Sequence, residues 1–313
     1  MGKETVLLVQ YVPHAYGAKA MNVAFPLWLL WRKWRHGNDI RIMFHEVAYP
    51  WVRWPLHHNL IAAVNRFMAA VLVQASSRIY LSIPGWLPLL PFLGSKHIEV
   101  IGIPSTIPQI LAKDESQCLK RQILTLNDKS RFVVAHFGTY GSLITELLGP
   151  AIRSLLDSRE DVLVLLLGGN SERFRTVFVS ENPQWSDRII ATGRLSNVDL
   201  ATHLIASDVA LQPFPDGASG RRTSIMASLI NGVPVVTNTG HLSEDFWIDS
   251  GVAVVSGESS PQQLAKRCSL LLDDSPLREK VGIAGQMLYA NRFSIENTMK
   301  VLLADLHCEN SIA

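Results

Sequence analysis

Cysteine is scarce in this chain, with three in 313 residues. Cys118, Cys268 and Cys308 are odd in number, far apart and in no C-x-x-C spacing, which excludes a disulfide framework and predicts reduced thiols in a cytoplasmic protein. Charge is scarce too. Charged residues make up 18%, and 29 Lys plus Arg stand against 27 Asp plus Glu, a formal +2. That balance excludes the basic face of a nucleic-acid binder, so no nucleic-acid partner is expected and any anion site has to be local. Long apolar runs are missing. The longest, Ala24 to Trp31 and Ile83 to Gly94, fall below the roughly 18 residues that span a bilayer, and Pro84, Pro88 and Pro91 interrupt the second. A spanning helix is excluded, while contact with a membrane surface is not. The first ten residues carry Lys3 and Glu4 and then only a short apolar run, too short for a signal-peptide core. H-E-x-x-H, D-x-D and Cys/His clusters are absent, so no catalytic metal is indicated.

What is present is a chain that folds: 48% of it is apolar, and no low-complexity tract occurs. Its length predicts two domains. Short β-branched runs alternate with segments of helical period, the pattern of an α/β protein with mostly parallel sheets. In the second half, Arg131–His136, Asp161–Leu167, Arg188–Ala191, Asp208–Leu211, Val233–Thr237 and Val252–Val255 read as strands buried on both faces. Helices are predicted over Ser142–Leu156, Ser171–Val179, Asn197–Ala206, Arg222–Asn231 and Pro261–Leu272, with Ser171 and Asn197 at N-cap positions. In the first half the strands are Val6–Gln10, Ile40–Phe44, Arg78–Leu81 and Glu99–Ile101, and the helices Ala20–Arg35 and Pro55–Ala75. The polar stretch Ala112 to Lys129 reads as a linker containing a helix. The predicted fold is thus two Rossmann-like, doubly wound domains, and chemistry belongs at the carboxyl ends of their strands, in an interdomain cleft.

Five loops merit attention. His136-Phe137-Gly138-Thr139-Tyr140-Gly141-Ser142 runs from a strand through glycines into a helix start, where free N–H groups and the dipole suit a phosphate. The same sequence also fits an ordinary strand-to-helix turn, lacking both G-x-G-x-x-G and the P-loop pattern. Gly168-Gly169-Asn170-Ser171 follows the strongest strand, and Thr192-Gly193-Arg194-Leu195-Ser196 repeats the geometry after the next. The most informative is Phe214-Pro215-Asp216-Gly217-Ala218-Ser219-Gly220-Arg221-Arg222-Thr223-Ser224. Two cations at a helix N-terminus oppose its dipole unless an anion sits there, so an anion site is the favoured reading over solvated surface charge. In the first half, Phe44-His45-Glu46 ends a strand in a His-Glu pair suited to acid or hydrogen-bond donor work, although a lone His is as a rule structural. The His14-Ala15-Tyr16-Gly17 loop is ambiguous in the same way.

Taken together these loops resemble the GT-B retaining glycosyltransferases of family four, bacterial enzymes that use nucleotide-sugar donors. Gly193-Arg194-Leu195 with Ala206-Ser207-Asp208-Val209-Ala210-Leu211 is similar to that family's G-x-(L/V)…A-D-V-x-L-x-P stretch, and Asn231-Gly232-Val233-Pro234-Val235-Val236 to its C-G-V-P-V-V. Phe44-His45-Glu46 resembles its strand-end His, and Tyr289 to Leu306 its last helix. The chain departs from the pattern where the paired glutamates E-x7-E would fall at Ser219 and Ala227, and where Gly138 to Ile144 holds no cation. Arg221 and Arg222 are inferred to replace the missing diphosphate clamp.

The resemblance implies residues 1–115 as a shortened acceptor-side lobe, 116–292 as the nucleotide-sugar lobe and 293–313 as a helix crossing back. It implies transfer of a hexose from a UDP- or GDP-sugar to a saccharide or lipid-linked acceptor in polysaccharide or glycolipid synthesis, with retention, no cofactor and no metal. His45, Glu46 and Arg222 would be catalytic. The donor would be held by Gly138, Thr139, Tyr140, Gly141, Gly169, Asn170, Gly193, Arg194, Leu195, Asp216, Gly217, Ser219, Arg221, Thr223 and Ser224, the acceptor by Tyr16 and Gly17. The missing carboxylate pair and the short first lobe keep a non-catalytic nucleotide-sugar-binding or scaffold subunit open, and among enzyme readings a GT-B epimerase ranks second to the transferase because few carboxylates besides Glu46 and Asp216 are at hand. Finally, Trp28 to Arg35 and Trp51 to Trp54 interleave tryptophan with Arg and Lys. That suits an amphipathic surface on anionic headgroups at the inner face of the membrane, and equally core packing with snorkelling cations.

Overall fold

A computed structural model describes residues 6–54, 56–111, 114–255 and 260–310. The side chain of Cys308 lies outside the described ones. The chain divides into two compact units, Met1–Gly102 and Ile103–Ala313.

The first unit carries β1 (Val6–Tyr11), α1 (Ala24–His36), β2 (Asp39–Phe44), α2 (His57–Ala75), β3 (Arg78–Leu81) and β4 (His97–Val100). Its sheet is parallel throughout in the order β1-β2-β3-β4. The helix predicted from Ala20 begins instead at Ala24. Gly17, Ala18, Lys19 and Ala20 all take positive φ, which bars a right-handed helix there.

The second unit carries α3 (Asp114–Leu124), β5 (Phe132–Phe137), α4 (Ser142–Ser158), β6 (Val162–Leu167), α5 (Ser171–Glu181), β7 (Ile189–Ala191), α6 (Asn197–Ile205), β8 (Val209–Gln212), α7 (Thr223–Ile230) and β9 (Val235–Asn238). It ends with α8 (Phe246–Asp249), β10 (Ala253–Val255), α9 (Pro261–Asp273), α10 (Ser275–Arg292) and α11 (Ile295–Asn310). The sheet order is β10-β9-β8-β5-β6-β7, with parallel neighbours. All six residues of β6, VLVLLL, are buried, because helices cover both faces of a doubly wound sheet. One buried cluster joins Val133, Leu163 and Leu165 to α6 and α7; the other joins Val134, Val164 and Leu166 to α4 and α9.

The units part earlier than the expected boundary at residue 115. Residues 103–110 hydrogen-bond into the second unit: Ile103 N donates to Gly220 O at 3.0 Å, Ser105 N to Tyr289 Oη at 3.1 Å and Ile110 N to Asn231 Oδ1 at 3.0 Å. Two caps also differ from the sequence reading. Ser196, not Asn197, accepts the first-turn bond of α6, from Asp199 N at 3.1 Å. Ser171 Oγ accepts from Gly193 N at 3.0 Å instead of capping α5. α10 lies outside the helices that the sequence pattern marks, and it carries Gly282 and Gly285. Their missing side chains let α10 lie against the residues of and after α7: a Cβ on Gly282 would stand 2.5 Å from Gly232 O, and one on Gly285 2.9 Å from Leu229 Cδ2.

Candidate functional site

In the second sheet the chain runs outward through β5, β6 and β7, then returns to the other side of β5 for β8 and continues to β9 and β10. The strand order therefore reverses between β5 and β8, and open α/β sheets form their ligand crevice at the carboxyl ends of such a pair. The two strands are joined there by side chains. His136 Nδ1 donates to Leu211 O at 2.8 Å. Gln212, with its amide turned so that both bonds form, pairs with the N–H and C=O of Phe137 at 3.1 Å each. The loops beginning at Gly138 and Pro213 thus start side by side. His136 is wholly buried, and desolvation pushes its pKa down to about 4 against the opposing Leu211 hydrogen bond. It is a neutral imidazole whose Nε2 has no hydrogen-bond partner among the described residues.

The loops after β5, β6 and β7 form one rim. Gly138 N donates to Leu167 O at 3.2 Å, Gly168 N to Gly193 O at 3.1 Å and Asn170 Nδ2 to Thr139 O at 3.2 Å. Gly138, Thr139, Gly141, Gly169, Asn170 and Gly193 are brought together by these bonds. Thr139, Gly141 and Ser142 are exposed, and α4 follows Gly141 with no side-chain cap, leaving its first N–H groups free of an intrahelical partner. Tyr140 turns inward instead. It is buried at φ +57°, and its hydroxyl lies 3.2 Å from both His136 O and Leu167 O, so only its backbone faces the rim. Arg194 is exposed and Leu195 packs against the core.

The loop after β8 holds the charge. Arg221 and Arg222 both pair with Asp216, one guanidinium on each carboxylate oxygen. All three side chains are less than a fifth exposed, and the Arg222 guanidinium lies 4.5 Å from the Phe214 ring centre. The chain itself supplies an anion for the two cations at the start of α7. α7 has no side-chain cap at Arg222. Thr223 is exposed at its first position, Ser224 half-buried, and Ser219 wholly buried with its hydroxyl unpartnered among the described residues.

Residues from the β9 end pin this loop, and none of them stood out in the sequence. Asn238 Oδ1 accepts from Phe214 N at 2.8 Å while its Nδ2 donates to Phe214 O at 2.7 Å. Glu244 accepts from Gly220 N at 3.0 Å and Trp247 Nε1 at 2.9 Å. Burial raises the Glu244 pKa, against those hydrogen bonds and the nearby Arg292. Gly217, at φ +88°, passes so close to Gly240 that a Cβ would stand 2.1 Å from its nitrogen.

The first unit has its own strand-end cluster. His45, just past β2, contacts Gln10 Oε1 of β1 through Nε2 at 2.6 Å, which makes that nitrogen the donor. Burial lowers its pKa, and Glu46 beside it raises it less. Glu46 lies 3.7 Å from His14 Nδ1. Tyr16 donates to Gln10 O at 2.5 Å and stacks on Phe25 at 4.3 Å; Gly17 follows at φ +78°. A cavity of about 480 Å³ opens among His14, Lys19, Tyr49, Val52, His58 and Ile61.

No protein-family model matches the sequence, and no curated protein matches it. Solved structures do. Sucrose-phosphate synthase of Thermosynechococcus elongatus superposes with a TM-score of 0.70 at 14% identity, over 98% of this chain and 74% of that one. Anabaena HepE in complex with UDP-glucose gives 0.68 at 14%, over 92% and 77%. A UDP-forming trehalose-phosphate synthase of Burkholderia xenovorans gives 0.63 at 14%, over 98% and 74%. At such identity the likeness is one of fold: two Rossmann-like domains of the GT-B kind.

Proposed function

We propose that the chain is a nucleotide-sugar-dependent glycosyltransferase that moves a hexose from a UDP- or GDP-sugar to a hydroxyl of a saccharide or lipid-linked acceptor, retaining configuration and without a metal. The observation that carries this is the Asp216–Arg221–Arg222 cluster in the loop that opens the reversal point of the second sheet. The shared fold with the UDP-glucose complex of HepE supports it.

As the glycosidic bond breaks, the leaving diphosphate gains charge, and donors already aimed at it lower the barrier most. Arg221 and Arg222 bind the diphosphate, which takes over guanidinium contacts from Asp216. The released carboxylate, with Gly217, then accepts from sugar hydroxyls. Thr223, Ser224 and the amides from Thr139 to Ser142 complete the anion cradle beside Gly138, and Gly169, Asn170 and Gly193 to Leu195 hold the nucleoside. In the first unit His45 moves its Nε2–H hydrogen bond from Gln10 Oε1 to the substrate, Glu46 orients it, and Tyr16 and Gly17 serve the acceptor.

A second reading, a nucleotide-sugar-binding subunit without turnover, is favoured by one observation: Ser219 and Ala227 are both wholly buried and bring no carboxylate. A panel of UDP- and GDP-sugars, followed for binding by calorimetry and for donor hydrolysis or transfer by product analysis, tests both. Binding with turnover supports the enzyme, binding alone the subunit, and no binding to any member contradicts both.

A further inference from the structure

α1 and α2 are doubly apolar. Toward the core, α1 buries Pro26 and Leu29 and α2 buries Ala62, Met68 and Leu72. On the opposite side α1 presents Leu27, Trp31 and Trp34 at the i, i+4, i+7 spacing of one stripe, with Trp34 77% exposed. α2 presents Leu56 just before its start and then Leu60 and Phe67 along the same kind of stripe. A helix apolar on all sides belongs in a core, so two such stripes facing outward call for something to cover them.

Topology puts the stripes together. Strands β1, β2 and β3 are neighbours in sequence order, and right-handed crossovers then place α1 and α2 on one face of the sheet. The two helices pack against each other. The loop before α2 extends the same chemistry: Trp51 lies under the Arg66 guanidinium at 4.5 Å, and Trp54 is 80% exposed.

The charges indicate the occupant. α1 and α2 contain Arg32, Lys33, Arg35 and Arg66 and no carboxylate. Lys33 is turned inward onto the carbonyls of Gln74 and Ser76, whereas Arg35 and, in the loop, Arg53 are exposed. Tryptophan and arginine side by side match the boundary between lipid headgroups and acyl chains, where the ring is half wetted and the cation meets phosphate. Among the described residues no helix is long and apolar enough to cross a membrane, so a bilayer would be met by these helices at its surface.

We propose that the outer face of α1 and α2, with the Trp51–Trp54 loop, docks on an anionic phospholipid bilayer. This stands apart from the nucleotide-sugar reading, since none of these residues belongs to that site. The test is co-sedimentation of the full chain with vesicles of mixed phosphatidylglycerol and phosphatidylcholine, and with vesicles of phosphatidylcholine alone, at low and high salt. Expected is partitioning about tenfold stronger on the mixed vesicles, weakened by salt, and reduced at least about tenfold by Trp31→Glu with Trp34→Glu. A second pair, Leu60→Glu with Phe67→Glu, does the same, UDP affinity stays unchanged in both, and thermal melts confirm folding. Absent partitioning, equal partitioning on neutral vesicles, or wild-type behaviour of both folded variants overturns the proposal. So does a dimer by light scattering that the variants dissolve while vesicles are ignored, which would assign the face to a second copy of this chain.

Discussion

Asp216 shows what one side chain does to the meaning of two others. The sequence marks Arg221 and Arg222 as cations in an unfavourable place at a helix start; the structure answers with a carboxylate from the same loop. Under the proposed function Asp216 and the diphosphate compete. Asp216→Asn should therefore tighten UDP binding by about tenfold, or about 1.4 kcal/mol, while costing the unliganded protein roughly 2–4 kcal/mol because a mostly buried pair is broken. Denaturant titration and calorimetry on the one variant check both signs. His136 makes a pH prediction. Its folded pKa of about 4 lies below the 6.5 of the unfolded chain, so as pH falls from 6.5 the unfolded state takes up a proton first. The folded state then loses roughly 3 kcal/mol by pH 4, with no further loss below. His136→Asn, which keeps a donor for Leu211 O, should flatten that part of the stability profile; an unchanged slope between pH 6.5 and 4 contradicts the assignment. His136 was legible as a strand-end residue, but its role as a bridge between β5 and β8 depends on a pairing that no local pattern records.

Elements explain which residues escaped the sequence. Asn238 and Glu244 are distant in sequence from the loop they pin and reach it only because β9 lies parallel beside β8. Without that register they read as one more polar strand end and one more surface glutamate. Removing Glu244 as Glu244→Ala leaves the Gly220 N–H and the Trp247 Nε1–H without their acceptor, an expected loss of about 2–3 kcal/mol in denaturant stability. Gly217→Ala forces a Cβ into the Gly240 backbone at a positive φ; it should cost about 3 kcal/mol or more and abolish UDP binding through the loop. α10 teaches the complementary lesson. Its glycines are a packing device, visible only once α7 is known to lie against them.

At the scale of the whole chain, the alternation of buried strands and amphipathic helices was enough to give two Rossmann-like units and nearly every element in them. That pattern depends on burial of both sheet faces, which composition and period report directly. Strand order is different: the reversal between β5 and β8 follows from long-range pairing, and with it the place where four of the loops matter. The sequence named those loops through their glycines and arginines but set the boundary at residue 115, since the polar linker pattern begins only at Ala112, whereas residues 103–110 are held to the second unit by hydrogen bonds to distant groups. Ligand binding should likewise be read over the whole chain. UDP at about 100 times its dissociation constant should raise stability by about 2.7 kcal/mol, with hydrogen-exchange protection gathering in residues 138–142 and 213–224. The most direct measurement is calorimetric titration of the full chain with UDP and GDP beside the Arg222→Ala variant, its fold confirmed by circular dichroism. The account predicts saturable, one-site binding of at least one of these nucleotides, lost in the variant. Absence of binding to both, or equal affinity in wild type and Arg222→Ala, would contradict it.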